Sequence, residues 1–599
     1  METINDLGKY TFPALLNNSI KKFGERPAVT LVGGSPYTYA QFGQKAQSVA
    51  KMLHALGLNN GSKVAILSTG RPEWGISYFG IVSYGMIAVP LLPDFSDAEL
   101  ESIFAHCGVD AIFVEQKLYS KVEKIGNKAP SIIIKIEDFT IIKGPENSIG
   151  KTISDFENLA EIVSETKEED TASLIYTSGT TGRSKGVELT HKNLVWTCVQ
   201  CQHTHRVNKL DRTLSFLPLS HVYEFTVSFS MQLLNGACIY YLGKPPTVSA
   251  LMPAFNIVQP TIVLSVPLIM EKIYKNKVLP TLTKNGFMKT LYKIPLTRRI
   301  LNKVAGKSLK KTFGGHLIFF GIGGAMLDPK VEHFMKEAKF PYAIGYGLTE
   351  TSPLLASSGP KITVPGTIGV VMPGVDMKIN NPNPKSGVGE IVVKGENVMK
   401  GYYKEPELTK TVFTTEEDSA GPGYFKTGDL GMFVKKHGKP YLVLKGRNKN
   451  MILGPSGENI YPEDIEFVLN QHPLIAESLV VEDDDGLVAL VQFDEEKVNA
   501  EAEKRVNEKS GGIAQLIKDV GENLSETAKK QSEEFLRNIA YEKERITSEI
   551  QFYVNSRVNK TSKVGKVKEV SGFEKTATQK IKRYLYDLRS KTIGKKDKK

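Results

Sequence analysis

A short stretch rich in hydroxyl groups, glycines and cations carries the strongest chemical signal in the sequence. Residues 176–186, YTSGTTGRSKG, contain three glycines, six Ser, Thr or Tyr hydroxyls, two cations and no aliphatic side chain. Because glycine has no Cβ, backbone N–H groups in such a loop can converge on an anion. The hydroxyls add donors, and Lys185 adds positive charge. The composition predicts a polyphosphate-binding loop.

The loop does not have the spacing of the common P-loop, G-x-x-x-x-G-K-[ST]. After Gly179 and four intervening residues comes Ser184, where that motif requires glycine, and the lysine is followed by glycine. Residues 172–176, ASLIY, predict a strand, and residues 190–200, THKNLVWTCVQ, predict a helix. We therefore predict a phosphate loop at a strand–helix junction, in a protein other than a standard P-loop NTPase.

Cysteine and histidine usage does not favour zinc. Four potential ligands, Cys198, Cys201, His203 and His205, lie within eight residues. On one helix they could hardly surround a tetrahedral ion, and structural zinc usually takes two separated pairs of ligands. The four cysteines of the chain predict no disulfide framework. The first ten residues, METINDLGKY, do not have the pattern of a secretory signal, so we expect a cytoplasmic protein.

The positive charge of the chain is concentrated near its C-terminus. The formal net charge is +12, and residues 557–599 contain fifteen Lys or Arg residues against four acidic residues. Such a segment suits an anionic partner: the phosphates of a ligand, a lipid surface or nucleic acid. We expect ligand phosphates or peripheral contact with an anionic membrane surface, and no nucleic acid. A solvated tail is the alternative for residues 595–599.

The order of apolar segments predicts an α/β fold. Strand-like segments such as 62–69 and 110–115 alternate with amphipathic segments such as 39–56. This alternation predicts parallel sheets flanked by helices. Three charge-free stretches are long enough to be considered as membrane spans, but prolines or polar residues interrupt each one, so we predict buried helices and strands instead. These stretches are residues 74–93, 225–243 and 245–270.

Changes in composition predict two domains. Residues 1–447 are predicted to form a large N-terminal domain, with a β-rich subdomain over about residues 365–447. Residues 448–599 are predicted to form a smaller α+β domain, with a helix beginning within 457–473 and a hairpin over 478–494. The charged segment 495–556 predicts an amphipathic helix packed on this domain, with a partner-binding helix as the alternative. Its predicted cap is Ser525, and its apolar positions are Phe535, Ile539, Ile546, Ile550 and Tyr553.

Eight ordered motifs resemble the adenylate-forming enzymes, the family of acyl-CoA synthetases, luciferases and peptide-synthetase adenylation domains. The phosphate loop extends to YTSGTTGRSKGVELTHKN (176–193). The others are LPLSHVYE (217–224), VPLIMEKIY (266–274), GIGGAMLD (321–328), GYGLTETSP (345–353), YFKTGDLG (424–431), GRNKNMILGPSGENIYPEDIE (446–466) and FEKTATQKIKRYL (573–585). Within the family, LPLSHVYE and SGENIYPEDIE look most like long-chain fatty acyl-CoA synthetases.

The resemblance implies roles for residues of the N-terminal motifs. The β- and γ-phosphates of ATP would be bound by Thr177, Ser178, Gly179, Thr180, Thr181, Gly182 and Lys185. Tyr346, between Gly345 and Gly347, would stack on adenine, and Gly323, Gly324 and Ala325 would lie against the adenine plane. Thr349 would bond the α-phosphate or the attacking carboxylate. Glu350, with Thr177, would ligate Mg²⁺, and His221 would lie between the acyl carboxylate and the route of the thiol.

The resemblance also implies roles for the C-terminal motifs. Asp429 and Arg447 would contact the ribose. Lys580 would bridge the attacking carboxylate and the α-phosphate, although this chain has Thr578-Gln579-Lys580 where many relatives have Thr-Gly-Lys. Lys449 would be the hinge of a mobile C-terminal domain, which withdraws Lys580 after adenylation and brings residues 454–462 to the thiol.

The implied activity is ATP-dependent conversion of a long-chain fatty acid to an acyl-adenylate and then to acyl-CoA, with ATP, Mg²⁺ and CoA as the ligands. Three alternatives are a fatty acyl-AMP ligase that loads a carrier protein, a ligase for a medium-chain or aryl acid, and a non-catalytic scaffold. The motif residues Lys185, Glu350, Asp429, Arg447 and Lys580 argue against the scaffold. Homodimer formation is left open.

Overall fold

The computed structural model describes residues 6–163, 165–178, 184–453, 459–483, 486–510, 526–576 and 580–586. The chain divides into two compact units. The first unit contains Met1–Thr427 and Gly431–Leu444, and the second contains Gly428–Leu430 and Lys445–Lys599.

The helices and strands of the first unit alternate along most of its length. Its α-helices are α1 (Phe12–Phe23), α2 (Tyr39–Ala55), α3 (Pro72–Val82), α4 (Asp97–Cys107), α5 (Tyr119–Ile125), α6 (His191–Cys201), α7 (Met231–Leu234), α8 (Val248–Val258), α9 (Pro267–Ile273), α10 (Leu279–Leu282), α11 (Gly286–Lys293), α12 (Pro295–Thr312), α13 (Pro329–Glu337) and α14 (Pro406–Thr411). Two segments, Glu224–Ser230 and Tyr274–Val278, are π-helical.

The strands that begin in this unit belong to three sheets. They are β1 (Pro27–Leu31), β2 (Tyr37–Thr38), β3 (Lys63–Leu67), β4 (Ile87–Leu91), β5 (Ala111–Val114), β6 (Ile132–Lys135), β7 (Thr140–Lys143), β8 (Thr171–Ser178), β9 (Ser184–Thr190), β10 (Arg212–Ser215), β11 (Cys238–Tyr241), β12 (Ile262–Ser265), β13 (Phe319–Ile322), β14 (Tyr342–Gly347), β15 (Leu354–Ser357), β16 (Val370–Val371), β17 (Asp376–Asn380), β18 (Gly389–Lys394), β19 (Gly401–Tyr402), β20 (Phe425–Lys436) and β21 (Lys439–Arg447).

The sheets confirm the predicted α/β fold class. A nine-stranded sheet has the order β16-β15-β14-β13-β12-β10-β11-β1-β2, and an eight-stranded sheet has the order β19-β9-β8-β4-β3-β5-β6-β7. Their central strands pair in parallel and their edges antiparallel. A four-stranded sheet, β17-β18-β20-β21, follows in the region predicted to be β-rich.

The first two charge-free stretches are buried helices and strands, as predicted, whereas the third contains α8, in which Val248 and Ile257 are 72% and 61% exposed. The first contains α3, all of whose residues are buried, followed by β4. The second contains most of the π-helical segment Glu224–Ser230, then α7 and β11. Since α3 is surrounded by protein, its uniformly apolar sequence is explained by the core. Among the described residues, no helix has both the length and the apolarity that a membrane crossing requires.

The prediction of a strand–helix junction at the phosphate loop is wrong. Strand β9 lies between the loop and α6, and it pairs antiparallel with β8, so the loop joins the two strands of a hairpin. Successive side chains of β9 point to opposite faces of the sheet. Val187 and Leu189 are buried, whereas the Glu188 carboxylate accepts hydrogen bonds from Thr171 and Lys400. Helix α6 begins only after Thr190, which forms a capping box with Asn193.

The second unit contains the helix, the hairpin and the packed helix predicted from its sequence. Its helices are α15 (Pro462–Asn470), α16 (Glu495–Ser510) and α17 (Glu526–Asn555). Its strands are β22 (Ile452–Leu453), β23 (Asn459–Ile460), β24 (Ile475–Asp483), β25 (Gly486–Phe493) and β26 (Lys566–Glu569), and β24 and β25 form an antiparallel hairpin. Ile546, Ile550 and Val554 of α17 are buried in the core of this unit. The predicted cap Ser525 lies outside the described residues.

Candidate active site

The phosphate hairpin places two of its predicted ligands opposite each other. Thr177 on β8 pairs with Lys185 on β9, next to the hairpin tip. Ser178 ends β8 beside them, where its backbone pairs with Ser184. Gly179, Thr180, Thr181 and Gly182 lie outside the described residues, so their predicted roles stay predictions. The described part of the hairpin therefore presents a hydroxyl and an ammonium group side by side.

Tyr402 connects this hairpin to Glu350. Strand β19 adds to the edge of the hairpin, with Tyr402 paired to Val187. The Lys185 Nζ lies 5.1 Å from the centre of the Tyr402 ring, and the Tyr402 hydroxyl donates to Glu350 Oε1 at 3.0 Å. Burial and the neighbouring Glu350 carboxylate raise the pKa of the Tyr402 phenol, so it remains a hydrogen-bond donor. The fold thus brings the Lys185 ammonium over the Tyr402 ring and the Glu350 carboxylate to the Tyr402 hydroxyl.

Tyr402 was not predicted from the sequence, and no motif or spacing around it identifies it as a site residue. It lies far along the chain from both Lys185 and Glu350, and it reaches them only because β19 pairs with β9. Aromatic residues in a Gly-Tyr-Tyr stretch are common core residues. Only the tertiary pairing gives Tyr402 a place in the candidate site.

A tightly fixed turn carries Glu350. It lies in the 3₁₀ turn Thr349–Thr351, directly after β14. A Cβ added at Gly347 would lie 1.7 Å from the carbonyl oxygen of Pro353, so no other residue fits there without moving the backbone. The Asn397 amide donates to the Thr351 carbonyl at 3.1 Å. The position of Glu350 is therefore set by backbone packing on both sides of the turn.

Tyr346 and Gly345 precede this turn on β14. The Tyr346 side chain is 6% exposed and belongs to the main hydrophobic core. A Cβ at Gly345 would lie 3.1 Å from Leu354, which is tighter than ordinary contact. Stacking of Tyr346 on adenine stays a prediction, and most of its ring already packs against protein.

Tyr223 packs against the glycine-rich end of β13. A Cβ at Gly323 would lie 3.2 Å from the Tyr223 ring, and one at Gly321 would lie 2.9 Å from its hydroxyl oxygen. The next residue, Glu224, begins the π-helical segment and is buried, and its Oε1 accepts a hydrogen bond from Ser215 at 2.6 Å. Burial raises the pKa of Glu224 to about 7. The sequence analysis did not single out Tyr223 or Glu224, although both belong to the LPLSHVYE motif.

Gly324, Ala325 and His221 lie close to these residues along the chain. Gly324 has φ +90° and, like Ala325, is exposed, so this segment offers accessible backbone after β13. His221 is half-buried, and its carbonyl accepts the N–H of Phe225 at 2.9 Å as the helical segment begins. π-Helical segments occur often at functional sites, which agrees with the predicted role of this motif.

Asp429 and Arg447, both predicted ribose ligands, form an ion pair in the second unit. The Arg447 Nε lies 3.2 Å from Asp429 Oδ1, and the Asp429 side chain is mostly buried. The ion pair holds the Asp429 carboxylate in place. The neighbouring strands β20 and β21 therefore bring together two residues that were both predicted to serve the same ligand group.

The predicted hinge, Lys449, lies in an exposed 3₁₀ turn, Asn448–Asn450. The Asn450 amide donates to Glu463 Oε1 at 2.5 Å, and Glu463 lies 3.9 Å from the Arg583 guanidinium. Arg583 also pairs with buried Glu466. These contacts connect the turn, α15 and the segment that follows Lys580 within the second unit.

Lys580 is exposed on one arm of a short loop. Its N–H donates to Thr576 Oγ1 at 3.2 Å, its carbonyl accepts from the Thr576 N–H at 2.8 Å, and Ile581 bridges to Lys575. The neighbouring Lys575 is engaged by Glu477, with its Nζ 2.8 Å from the carboxylate. This ion pair ties Lys575 to β24, and the role of Lys580 stays a prediction. Residues 577–579 lie outside the described residues.

The chemistry of the first-unit cluster fits a magnesium–phosphate ligand. Mg²⁺ is commonly bound through one or two carboxylates together with substrate phosphates and water. Glu350 supplies one carboxylate, Thr177 a hydroxyl, and Lys185 a charge for the phosphates. Among the described residues, no group of three or more His, Cys, Asp or Glu side chains could form a metal cluster on its own.

The chain is similar to known proteins over most of its length. A family model described as AMP-binding enzyme matches residues 16–403. A long-chain-fatty-acid–CoA ligase of Mycobacterium bovis is 29% identical over 509 residues, which is 80% of this chain and 80% of that protein. A chloroplastic long-chain-fatty-acid–[acyl-carrier-protein] ligase of Arabidopsis thaliana is 28% identical, covering 79% of this chain and 74% of that protein.

Solved structures show the same fold. ATP-bound MatB from Rhodopseudomonas palustris superposes with a TM-score of 0.71 at 22% identity, covering 97% of this chain and 99% of that chain.

Proposed function

Because this chain belongs to the AMP-binding enzyme family, we propose that it activates a long-chain fatty acid with ATP and transfers the acyl group to CoA. A carboxylate oxygen of the fatty acid attacks the α-phosphorus of ATP, and pyrophosphate leaves. The thiol of CoA then attacks the acyl carbonyl of the adenylate, and AMP leaves. The cluster of Lys185, Tyr402 and Glu350 carries this proposal, and the names of the relatives support the long-chain acid and CoA.

The first-unit residues would serve the triphosphate. Thr177, Lys185 and the backbone N–H groups of residues 178–182 would bind the β- and γ-phosphates and stabilise the departing pyrophosphate. Thr349 would orient the α-phosphate or the carboxylate. Mg²⁺, held by Glu350 and Thr177, would supply charge neutralisation on the phosphates.

The nucleoside and acyl groups would be bound by the other residues that the motifs identify. Tyr346, with Gly345 and Gly347, and the segment of Gly323, Gly324 and Ala325 would enclose the adenine. Asp429 and Arg447 would bind the ribose hydroxyls. His221 would lie beside the acyl carboxylate and the path of the thiol.

The second unit would deliver Lys580 to the first half-reaction. Its ammonium would lie between the attacking carboxylate and the α-phosphate, where negative charge accumulates. Rotation about Lys449 would then remove Lys580 and expose the adenylate to the thiol. Few residues absorb the motion of a hinge, and Lys449 lies in the short turn that follows β21.

Tyr402→Phe is expected to lower kcat/KM for ATP by about tenfold, because hydrogen bonds to charged groups contribute about 1.5–3 kcal/mol. The loss should be largest at low Mg²⁺, since the phenol holds Glu350 in place rather than touching substrate. Steady-state kinetics at several Mg²⁺ concentrations would measure it. Tyr403→Phe is the matched control, because that ring lies beside His106, with ring centres 6.0 Å apart. Equal behaviour of the two variants would refute the role of Tyr402.

A product assay tests which thiol accepts the acyl group and which class of carboxylic acid is activated. AMP release should be measured over carboxylic acids from two to twenty carbons and aryl acids, with CoA or with a holo-carrier protein. We expect the highest kcat/KM for long-chain acids with CoA. Preference for the carrier protein would establish the acyl-AMP ligase, for which the Arabidopsis relative provides a precedent. Activity confined to medium-chain or aryl acids would overturn the proposed substrate class.

The proposed setting is the cytoplasm, with peripheral contact to an anionic membrane through the basic C-terminal segment. Residues 587–599 of that segment lie outside the described residues. The proposal is supported by the net positive charge of residues 557–599.

A further inference from the structure

A second basic region lies in the first unit, on α11 and α12. Residues 272–327 contain twelve Lys or Arg residues and no Asp or Glu. Helix α12 alone has Arg298, Arg299, Lys303, Lys307, Lys310 and Lys311. No role in adenylate formation requires this charge, and the candidate site does not include these helices.

The inner face of α12 is anchored to α13 and cannot easily turn. A Cβ at Gly306 would lie 2.5 Å from the carbonyl oxygen of Ala338, so the two backbones are in close contact. Asn302 donates to Glu337 Oε2 at 2.8 Å, and Arg298 donates to both Glu337 oxygens at 3.0 and 3.1 Å. Leu309 is buried in the core beneath. Because these contacts hold the inner face of α12 in place, its opposite face is exposed to solvent.

The outer face of α12 combines an apolar row with cations. Leu296, Ile300 and Val304 are 70%, 54% and 63% exposed, and their spacing of four residues puts them on one side of the helix. Cations on the same exposed face border this row: Arg299, Lys303, Lys307 and Lys311. Within the described part of the chain, no carboxylate forms an ion pair with the three lysines. On neighbouring α11, Phe287 is 72% exposed.

We propose that this outer face, together with Phe287, docks the protein on an anionic lipid bilayer. Aliphatic side chains would enter the boundary between head groups and acyl chains, while the lysine and arginine stems would extend to the phosphates. Long-chain fatty acids partition into bilayers, so docking would bring the protein to its substrate. This link to catalysis rests on the proposed function. The docking itself depends only on this surface.

The charge of the surface selects this occupant over others. A second copy would bring two cationic faces together, and residues 272–327 offer no Asp or Glu to compensate, so this contact would be repulsive. Nucleic acid would bind the cations, because basic protein surfaces contact mainly its phosphates and sugars. It would not account for the exposed aliphatic row. A bilayer that contains acidic lipids satisfies both the charge and the apolar row.

The test measures binding of the full-length protein to vesicles of phosphatidylcholine containing one-third phosphatidylglycerol. The triple variant Lys303→Glu, Lys307→Glu, Lys311→Glu should reduce partitioning at least about tenfold. The matched control is Lys435→Glu, Lys436→Glu, Lys439→Glu, which makes the same change in net charge on exposed residues of another surface. It should retain most of the binding. A second triple variant, Leu296→Ser, Ile300→Ser, Val304→Ser, should also weaken vesicle binding. It should change the salt dependence of binding less than the Lys→Glu variant does.

Three results would overturn the proposal. Equal losses for the α12 variant and the control would indicate non-specific attraction. Loss of binding only in Lys595→Glu, Lys596→Glu, Lys598→Glu would assign the attachment to the C-terminal tail. A change from dimer to monomer in the serine variant without loss of vesicle binding would indicate a contact between copies. Adenylate formation from detergent-dispersed acid should persist in the α12 variants, and its absence in the unaltered protein would count against the proposed function alone.

Discussion

Lys580→Ala is expected to reduce fatty acid-dependent ATP–pyrophosphate exchange by about a hundredfold or more, a typical loss when one preorganised electrostatic donor is removed. The ammonium would act only while the carboxylate attacks the α-phosphorus. Thioester formation from supplied acyl-adenylate and CoA should therefore keep nearly its full rate. The two half-reactions can be measured separately, by exchange of labelled pyrophosphate and by release of AMP from the adenylate.

Lys575→Ala is the matched control for this variant. Lys575 lies five residues before Lys580 but is held by Glu477 at 2.8 Å, so its removal should leave exchange within a fewfold of the unaltered rate. Equal loss of both half-reactions in Lys580→Ala would contradict the assigned role. A larger loss of exchange in Lys575→Ala than in Lys580→Ala would transfer the role to Lys575.

Glu350→Gln is expected to lower kcat/KM for ATP by about a hundredfold and to raise the Mg²⁺ concentration needed for half-maximal rate. Glutamine keeps an oxygen that can accept the Tyr402 hydrogen bond, so the local packing should survive. It lacks the negative charge that attracts the cation. Rates measured across a Mg²⁺ titration at fixed total ATP would give both quantities.

Glu396→Gln provides the comparison for the Glu350 variant. Glu396 is a half-exposed carboxylate whose partner is Lys192 at 3.1 Å. Its replacement should leave the Mg²⁺ dependence unchanged. If Glu350→Gln also left that dependence unchanged, Glu350 could not be the metal ligand, even if the overall rate fell.

The fold class could be predicted from sequence because its signals are local. Apolar strands between amphipathic helices predict parallel sheets flanked by helices, and α2, β3 and β5 lie where their sequence patterns predicted them. The error at β9 has a physical cause. Its sequence SKGVELT has one glycine and four polar side chains, so its strand character depends on pairing with β8 on one side and β19 on the other.

The candidate site was predictable only in part, for a similar reason. Ordered motifs identified Lys185, Glu350, Asp429 and Arg447, and the structure joins the last two in an ion pair. The phenol that joins the first two was not identified. Tyr402 acts through a hydrogen bond and a ring contact that exist only after distant strands pair, and no spacing in the sequence encodes them. Net charge does not point to the outer face of α12, because residues 557–599 alone carry fifteen Lys or Arg residues against four acidic residues.

The most direct test of the account is to look for the acyl-adenylate itself. Purified protein should be incubated with ATP, Mg²⁺ and palmitate without CoA, and the products identified by mass spectrometry. We predict palmitoyl-adenylate and pyrophosphate, followed by palmitoyl-CoA and AMP once CoA is added. Release of ADP and phosphate, or the absence of a mixed anhydride with every aliphatic acid offered, would contradict it.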